Sequence, residues 1–155
     1  MTDSQVGPKR KSAIRIKFAN LHLDRERIES WYDTVLGVVA DFQITVDDSI
    51  IYREVEFPVI ELAYRIHRWL LCSNARDRDL EYESMESAEN PLIWFRQEDD
   101  HWVIGAAHQL RLSGAVRLQD VESGSREFLM ELEEAVRTRL GMSLFGLLLA
   151  DELHA

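Results

Sequence analysis

Glu81 and Glu83 stand two residues apart in a stretch that alternates apolar and polar side chains, Leu80-Glu81-Tyr82-Glu83-Ser84. In a strand that spacing puts both carboxylates on one face. Two adjacent carboxylates can share general acid–base work or hold a cation. No His, Lys or Arg constellation lies beside them in sequence, so a solvated or partner-facing role fits them better than catalysis. The five histidines are His22, His67, His101, His108 and His154. None forms an HxH, HExxH or HxxxH pair, and no CxxC is present. His101 and His108 are an odd seven residues apart around the predicted strand Trp102–Gln109, which points them to opposite faces. His101 therefore reads as facing solvent and His108 as structural. Cys72 is the single cysteine and follows Trp69-Leu70-Leu71 at a predicted helix end, which favours a buried structural thiol over a nucleophile. There is no GxGxxG, GxxxxGK[ST] or GxSxG sequence. Gly105 sits inside a predicted strand and reads as a bulge or a close-packing position. The reading names no catalytic residue, no metal ligand and no cofactor.

Charge is the stronger signal. Between residues 77 and 100 nine acidic side chains face two basic ones, Arg78 and Arg96. The same stretch carries Leu80, Tyr82, Leu92, Ile93, Trp94 and Phe95, so it is folded rather than a solvated tail. Residues 1–40 carry seven basic and five acidic side chains, and residues 41–155 carry 11 and 23, which sums to the net charge of −10. This balance argues against direct nucleic-acid binding, which wants a basic face. A local acidic cluster on a folded surface suits a protein partner with a basic surface. The bland alternative is that the charge serves solubility. Trp94 and Phe95 are adjacent, so a strand turns them to opposite faces. Either one of them is an exposed anchor among the acids, or both faces are covered. The residues expected at a partner surface are Glu81, Glu83, Glu86, Asp99, Asp100 and Trp94.

The elements that must position these residues follow from hydrophobic period. Ile14, Ile16 and Phe18 alternate with polar residues and predict a first strand. Asp24 with Leu23 and Ile28 predicts a short helix or turn through Trp31 and Tyr32, ending near Gly37. Val38 to Val46 and Ile50 to Phe57 predict a hairpin across Asp47-Asp48-Ser49. Pro58 opens a helix whose stripe is Val59, Leu62, Ala63, Ile66, Trp69 and Leu70, with Glu61 and Arg65 spaced for an i,i+4 pair. Leu80 to Ser84 predicts a strand, Leu92–Gln97 and Trp102–Gln109 a second hairpin, and Ala115–Val121 a last strand. Ser123-Gly124-Ser125 is expected to cap a helix carrying Phe128, Leu129, Leu132, Val136 and Leu140, with Gly141 at its C′ position. Met142–Leu149 adds a short apolar segment.

At 155 residues the chain suits one core. The expected fold is α+β, a single domain over 13–155 with a mostly antiparallel sheet and two main helices packed on one face. Residues 1–12 are expected to form a flexible basic tail. That segment is followed by no apolar run, so it does not read as a signal peptide, and no stretch is apolar enough to span a bilayer. The expected location is cytoplasmic.

Several segments carry a resemblance. They are Ala40–Asp47, Phe57–Ala63 with Arg68–Leu70, Tyr82–Ser87, Leu92–Phe95 and Trp102–Gln109. Together they look like a small bacterial family that resembles, in size and layout, the immunity proteins of polymorphic toxin systems. The resemblance covers about residues 13–140 and has no catalytic motif to anchor it. It implies a non-enzymatic, acidic protein that neutralises a toxin by occlusion. It assigns no binding residue. The other readings are a structural or regulatory interaction module, self-associating or bound to a host protein, and a small ligand-binding protein or enzyme with a pocket between sheet and helices.

Overall fold

Alternation of apolar and polar residues builds the first sheet. The structure, a computed structural model, describes residues 14–24, 37–71, 78–83, 91–107, 111–146 and 148. Strand β1 (Ile14–Leu23) buries Ile14, Ile16 and Leu21, and β2 (Val38–Val46) buries Val38, Ala40, Phe42, Ile44 and Val46. Strand β3 (Ser49–Pro58) pairs with β2, and all pairings in the order β1-β2-β3 are antiparallel. Asp47 and Asp48 make the β2–β3 turn with φ of 51° and 69°. Left-handed backbone at both central residues gives the turn a twist that matches its strands, and Asp tolerates it well.

Pro58 ends β3, and helix α1 (Val59–Leu71) starts at the next residue. The predicted stripe is buried at Val59, Leu62, Ala63, Ile66 and Trp69, with Ile60 added to it. Trp69 meets the rings of Phe95 and Trp102 edge-on at 5.7 and 5.8 Å, and its Nε1–H donates to the Arg78 carbonyl at 2.9 Å. Glu61 and Arg65 look outward to the next strand. The Tyr82 hydroxyl donates to Glu61 at 2.8 Å, and Arg65 donates to the Glu81 carbonyl at 3.2 Å. Both residues of the expected helical pair thus also tie α1 to β4.

The second sheet contains β4 (Leu80–Tyr82), β5 (Ile93–Glu98), β6 (His101–Ala106) and β7 (Arg111–Leu112), antiparallel in that order. The expected antiparallel sheet is therefore present in two parts. β3 approaches β6 and β7 without pairing to either. Helix α2 (Leu118–Ala135) runs into a wider π turn (Val136–Leu140) and stops at Gly141, whose φ of 68° fills the left-handed cap position.

Two expectations near α2 are corrected. Of the expected strand Ala115–Val121 only Val116 bridges to a strand, at Trp102, and Leu118–Val121 open the helix after Arg117 at its N-cap. The helix therefore begins before Ser123, and Gly124 and Ser125 are buried inside it. The reason is packing. A Cβ at Gly124 would come within 2.6 Å of Ile14 Cγ2 and 2.9 Å of the Ile14 carbonyl oxygen. Glycine is the residue that lets α2 lie directly on β1.

Both helices cover the same side of the sheets. α1 packs on β2 and β4, α2 packs on β1 and β6, and one apolar cluster joins all of them. Phe42 is at its centre, stacked on Phe57 at 4.4 Å and met edge-on by Phe128 of α2 at 6.2 Å. The fold is α+β. No helix among the described residues is long and apolar enough to cross a membrane. Residues 1–12, the predicted helix after Asp24, Cys72, His108 and His154 lie outside the described residues.

Candidate functional site

Among the described residues, the helices pack on the inner face of the second sheet, and its outer face includes Val103, which is only 8% exposed. Register decides what stands there. Leu80 pairs with Phe95 and Tyr82 with Ile93, and all four are buried. The alternate positions point outward. Glu81 lies opposite Trp94, and Trp94 lies opposite Gly105. Phe95, fully buried against Trp69, is the core member of the aromatic pair, and Trp94 is the outer one.

Gly105 makes the outer face flat. A Cβ there would lie 2.4 Å from Trp94 Nε1 and 2.5 Å from Cε2. The indole lies directly over the Gly105 backbone, so the close-packing reading of this glycine holds. Arg96, two residues along β5, places its guanidinium carbon 4.4 Å from the indole centroid. The same guanidinium approaches Glu81 at 3.5 Å. Glu81, Arg96 and Trp94 thus form one ladder across two strands, with the indole half-buried between the sheet and a cation.

The acids flank this ladder on both sides. Glu83 is exposed just beyond the end of β4. Glu98 is four residues along β5 from Trp94, about 13 Å at ordinary strand rise. Asp99 and Asp100 form the tip of the β5–β6 hairpin, Asp99 with a φ of 56° and Asp100 at 99% side-chain exposure. His101 lies 3.4 Å from Asp100 and directly across from Glu98. The structure therefore joins Glu81 with Trp94, and sets Glu83 and Asp99–Asp100 at opposite ends of the sheet, beyond β4 and at the hairpin tip. Glu86 lies outside the described residues. Asp79, whose carboxylate accepts from the Gln97 N–H at 2.9 Å, ties β4 to the hairpin.

An open groove of about 740 Å³ runs along the contact of α1 with β4, lined by Tyr64, Arg65, Arg68, Trp69, Arg78, Asp79 and Glu81 among others. Sequence reading left a pocket between sheet and helices open but named none of its lining, because the arginines are spread over α1 and the approach to β4. It also missed Arg96 as a cover for Trp94. An i,i+2 Trp-x-Arg pair in a strand was the available signal, since such residues share a face.

The model of the family described as Domain of unknown function (DUF7878) matches residues 14–138. No curated protein and no solved structure matches the chain.

Proposed function

The chain belongs to the DUF7878 family, and we propose that it is a non-catalytic cytoplasmic binding protein whose partner docks on the outer face of β4–β6. The observation that carries this reading is the seated indole. Trp94 is large, held flat on Gly105, and flanked by exposed carboxylates at both ends of the sheet. A rigid aromatic supplies contact area at small entropic cost, and the surrounding acids steer a basic partner toward it. Neutralisation of a toxin by occluding its basic cleft is the specific role that fits this chemistry and the resemblance to immunity proteins.

The test is capture of the partner with the full chain from its host, followed by association kinetics with wild type and two variants. Glu83→Lys with Asp100→Lys reverses the flanking charge and leaves the Glu81–Arg96–Trp94 ladder intact. Association should slow, most at low salt, because screening at 0.15 M acts over about 8 Å. Trp94→Ala should instead speed dissociation. Equal rates for all three proteins would remove this face from the reading.

A second reading rests on the α1–β4 groove. Arg65, Arg68 and Arg78 around one opening suit a small anionic ligand. Saturable phosphate binding that is lost in Arg78→Ala would favour it.

A further inference from the structure

The first sheet carries a separate cluster, away from the β4–β6 face. His22, Asp24 and Glu56 each offer a ligand atom, and these atoms all lie within 4.8 Å of one another. We propose that the three side chains bind one divalent transition-metal ion, through Nε2 of His22 and one carboxylate oxygen each from Asp24 and Glu56.

The imidazole is set up for this role. His22 Nδ1 lies 2.7 Å from the Asn20 carbonyl oxygen. A carbonyl only accepts, so Nδ1–H donates to it and the neutral ring keeps its lone pair on Nε2. A metal-ligating histidine needs that same support from a group outside the ligand set. Nε2 lies 3.9 Å from Glu56 Oε2. That is too long for a hydrogen bond. A tetrahedral ion with bonds of about 2.1 Å holds its donors about 3.4 Å apart. Small rotations of exposed side chains close the difference, since His22 and Glu56 are 45% and 58% exposed.

The backbone brings these residues together from both edges of the sheet. β1 and β3 flank β2, so their axes are about 9.6 Å apart. The pairing of β1 with β2 shifts register between Ala19 and His22, and that of β2 with β3 shifts between Ala40 and Phe42. Both irregularities face the same stretch of β2, and each holds a non-glycine residue in left-handed backbone, Asn20 at 58° and Glu56 at 52°. Bulges re-aim side chains out of the regular pleat. Between them is Val39, opposite both His22 and Pro58, outside the core cluster yet only 4% exposed. This places one apolar side chain beneath the donor set, whose outer side is open to solvent.

One imidazole and two carboxylates suit Zn²⁺ best, with Mn²⁺ next. The two carboxylates balance the charge of the ion. Three protein donors leave a tetrahedral shell one position short, open to water or to a donor from another molecule. His22-x-Asp24 is the sequence trace of the site, and Glu56 is too far along the chain to be linked to it by spacing.

The experiment is calorimetric titration of the full, tag-free chain, stripped with chelator and dialysed, with Zn²⁺. Wild type should take up one equivalent. His22→Ala and Glu56→Gln should each weaken binding by more than the roughly 10–100-fold lost when a supporting group is removed from a metal site. His101→Ala should bind as wild type does. Zinc should also move the ¹⁵N signal of His22 Nε2 in the wild-type protein, a measurement that does not depend on any variant folding. Absence of saturable one-to-one binding, or wild-type affinity in both His22→Ala and Glu56→Gln, would overturn the proposal.

Discussion

Gly105→Ala puts the smallest possible side chain under the Trp94 indole. The new Cβ would lie 2.4, 2.5 and 2.7 Å from three ring atoms, well inside contact distance. The β6 backbone is held on both sides, by β5 and by Leu112 of β7. The ring is the part that moves. Lifting it re-exposes roughly a third of the 150–250 Å² that a tryptophan buries, about 65 Å². At about 25 cal/mol per Å² that loses about 1.6 kcal/mol. Separation from Arg96 loses about 0.5–1 kcal/mol more. Against this, alanine is better than glycine in a strand by about 0.5–1 kcal/mol. The net expectation is a destabilisation of about 1.5 kcal/mol. Urea denaturation of four proteins tests it: wild type, Gly105→Ala, Trp94→Ala and the double variant. With the indole gone nothing opposes the methyl group, so Gly105→Ala should become stabilising by about 0.5–1 kcal/mol in the Trp94→Ala background. The sign reverses between backgrounds. The same effect in both would refute the seating of Trp94 on Gly105, and with it the flat platform on which the proposed docking face depends.

Gly124→Ala should destabilise by about 1–3 kcal/mol, although alanine is the better helix former, because the methyl meets Ile14 Cγ2 and the Ile14 carbonyl oxygen. A rise in melting temperature would show that α2 does not lie on β1 at this point. Ser125→Ala should stabilise by about 1 kcal/mol, since among the described residues the buried Ser125 hydroxyl has no hydrogen-bond partner. A lower urea midpoint for this variant would mean that the hydroxyl has a partner.

Much of the fold was legible because burial writes itself into local period. The alternation of Val38 to Val46 and the stripe from Val59 to Trp69 each state which side is inward, and the core contains those residues. Pro58, the Asp47-Asp48 turn and Gly141 carry their own backbone constraints, so the ends of their elements were also readable. The same local signals misled at α2. Ser123-Gly124-Ser125 looks like a helix start, and only contact with Ile14 on β1 explains a glycine within a buried helix turn.

The chemistry of the surfaces depended on neighbours remote in sequence. By itself the sequence determined the fold class, the inward faces, the acidic balance and the opposition of Trp94 to Phe95, because each follows from residue type and from periods of two or 3.6. Tertiary structure alone decided that Trp94 is the outer residue, that Gly105 lies beneath it and that Arg96 reaches Glu81. It also decided that His22 and Glu56, 34 residues apart in the chain, meet across β2. Strand register and bulges set these pairings, and a one-residue slip in either would turn the side chains to the opposite face.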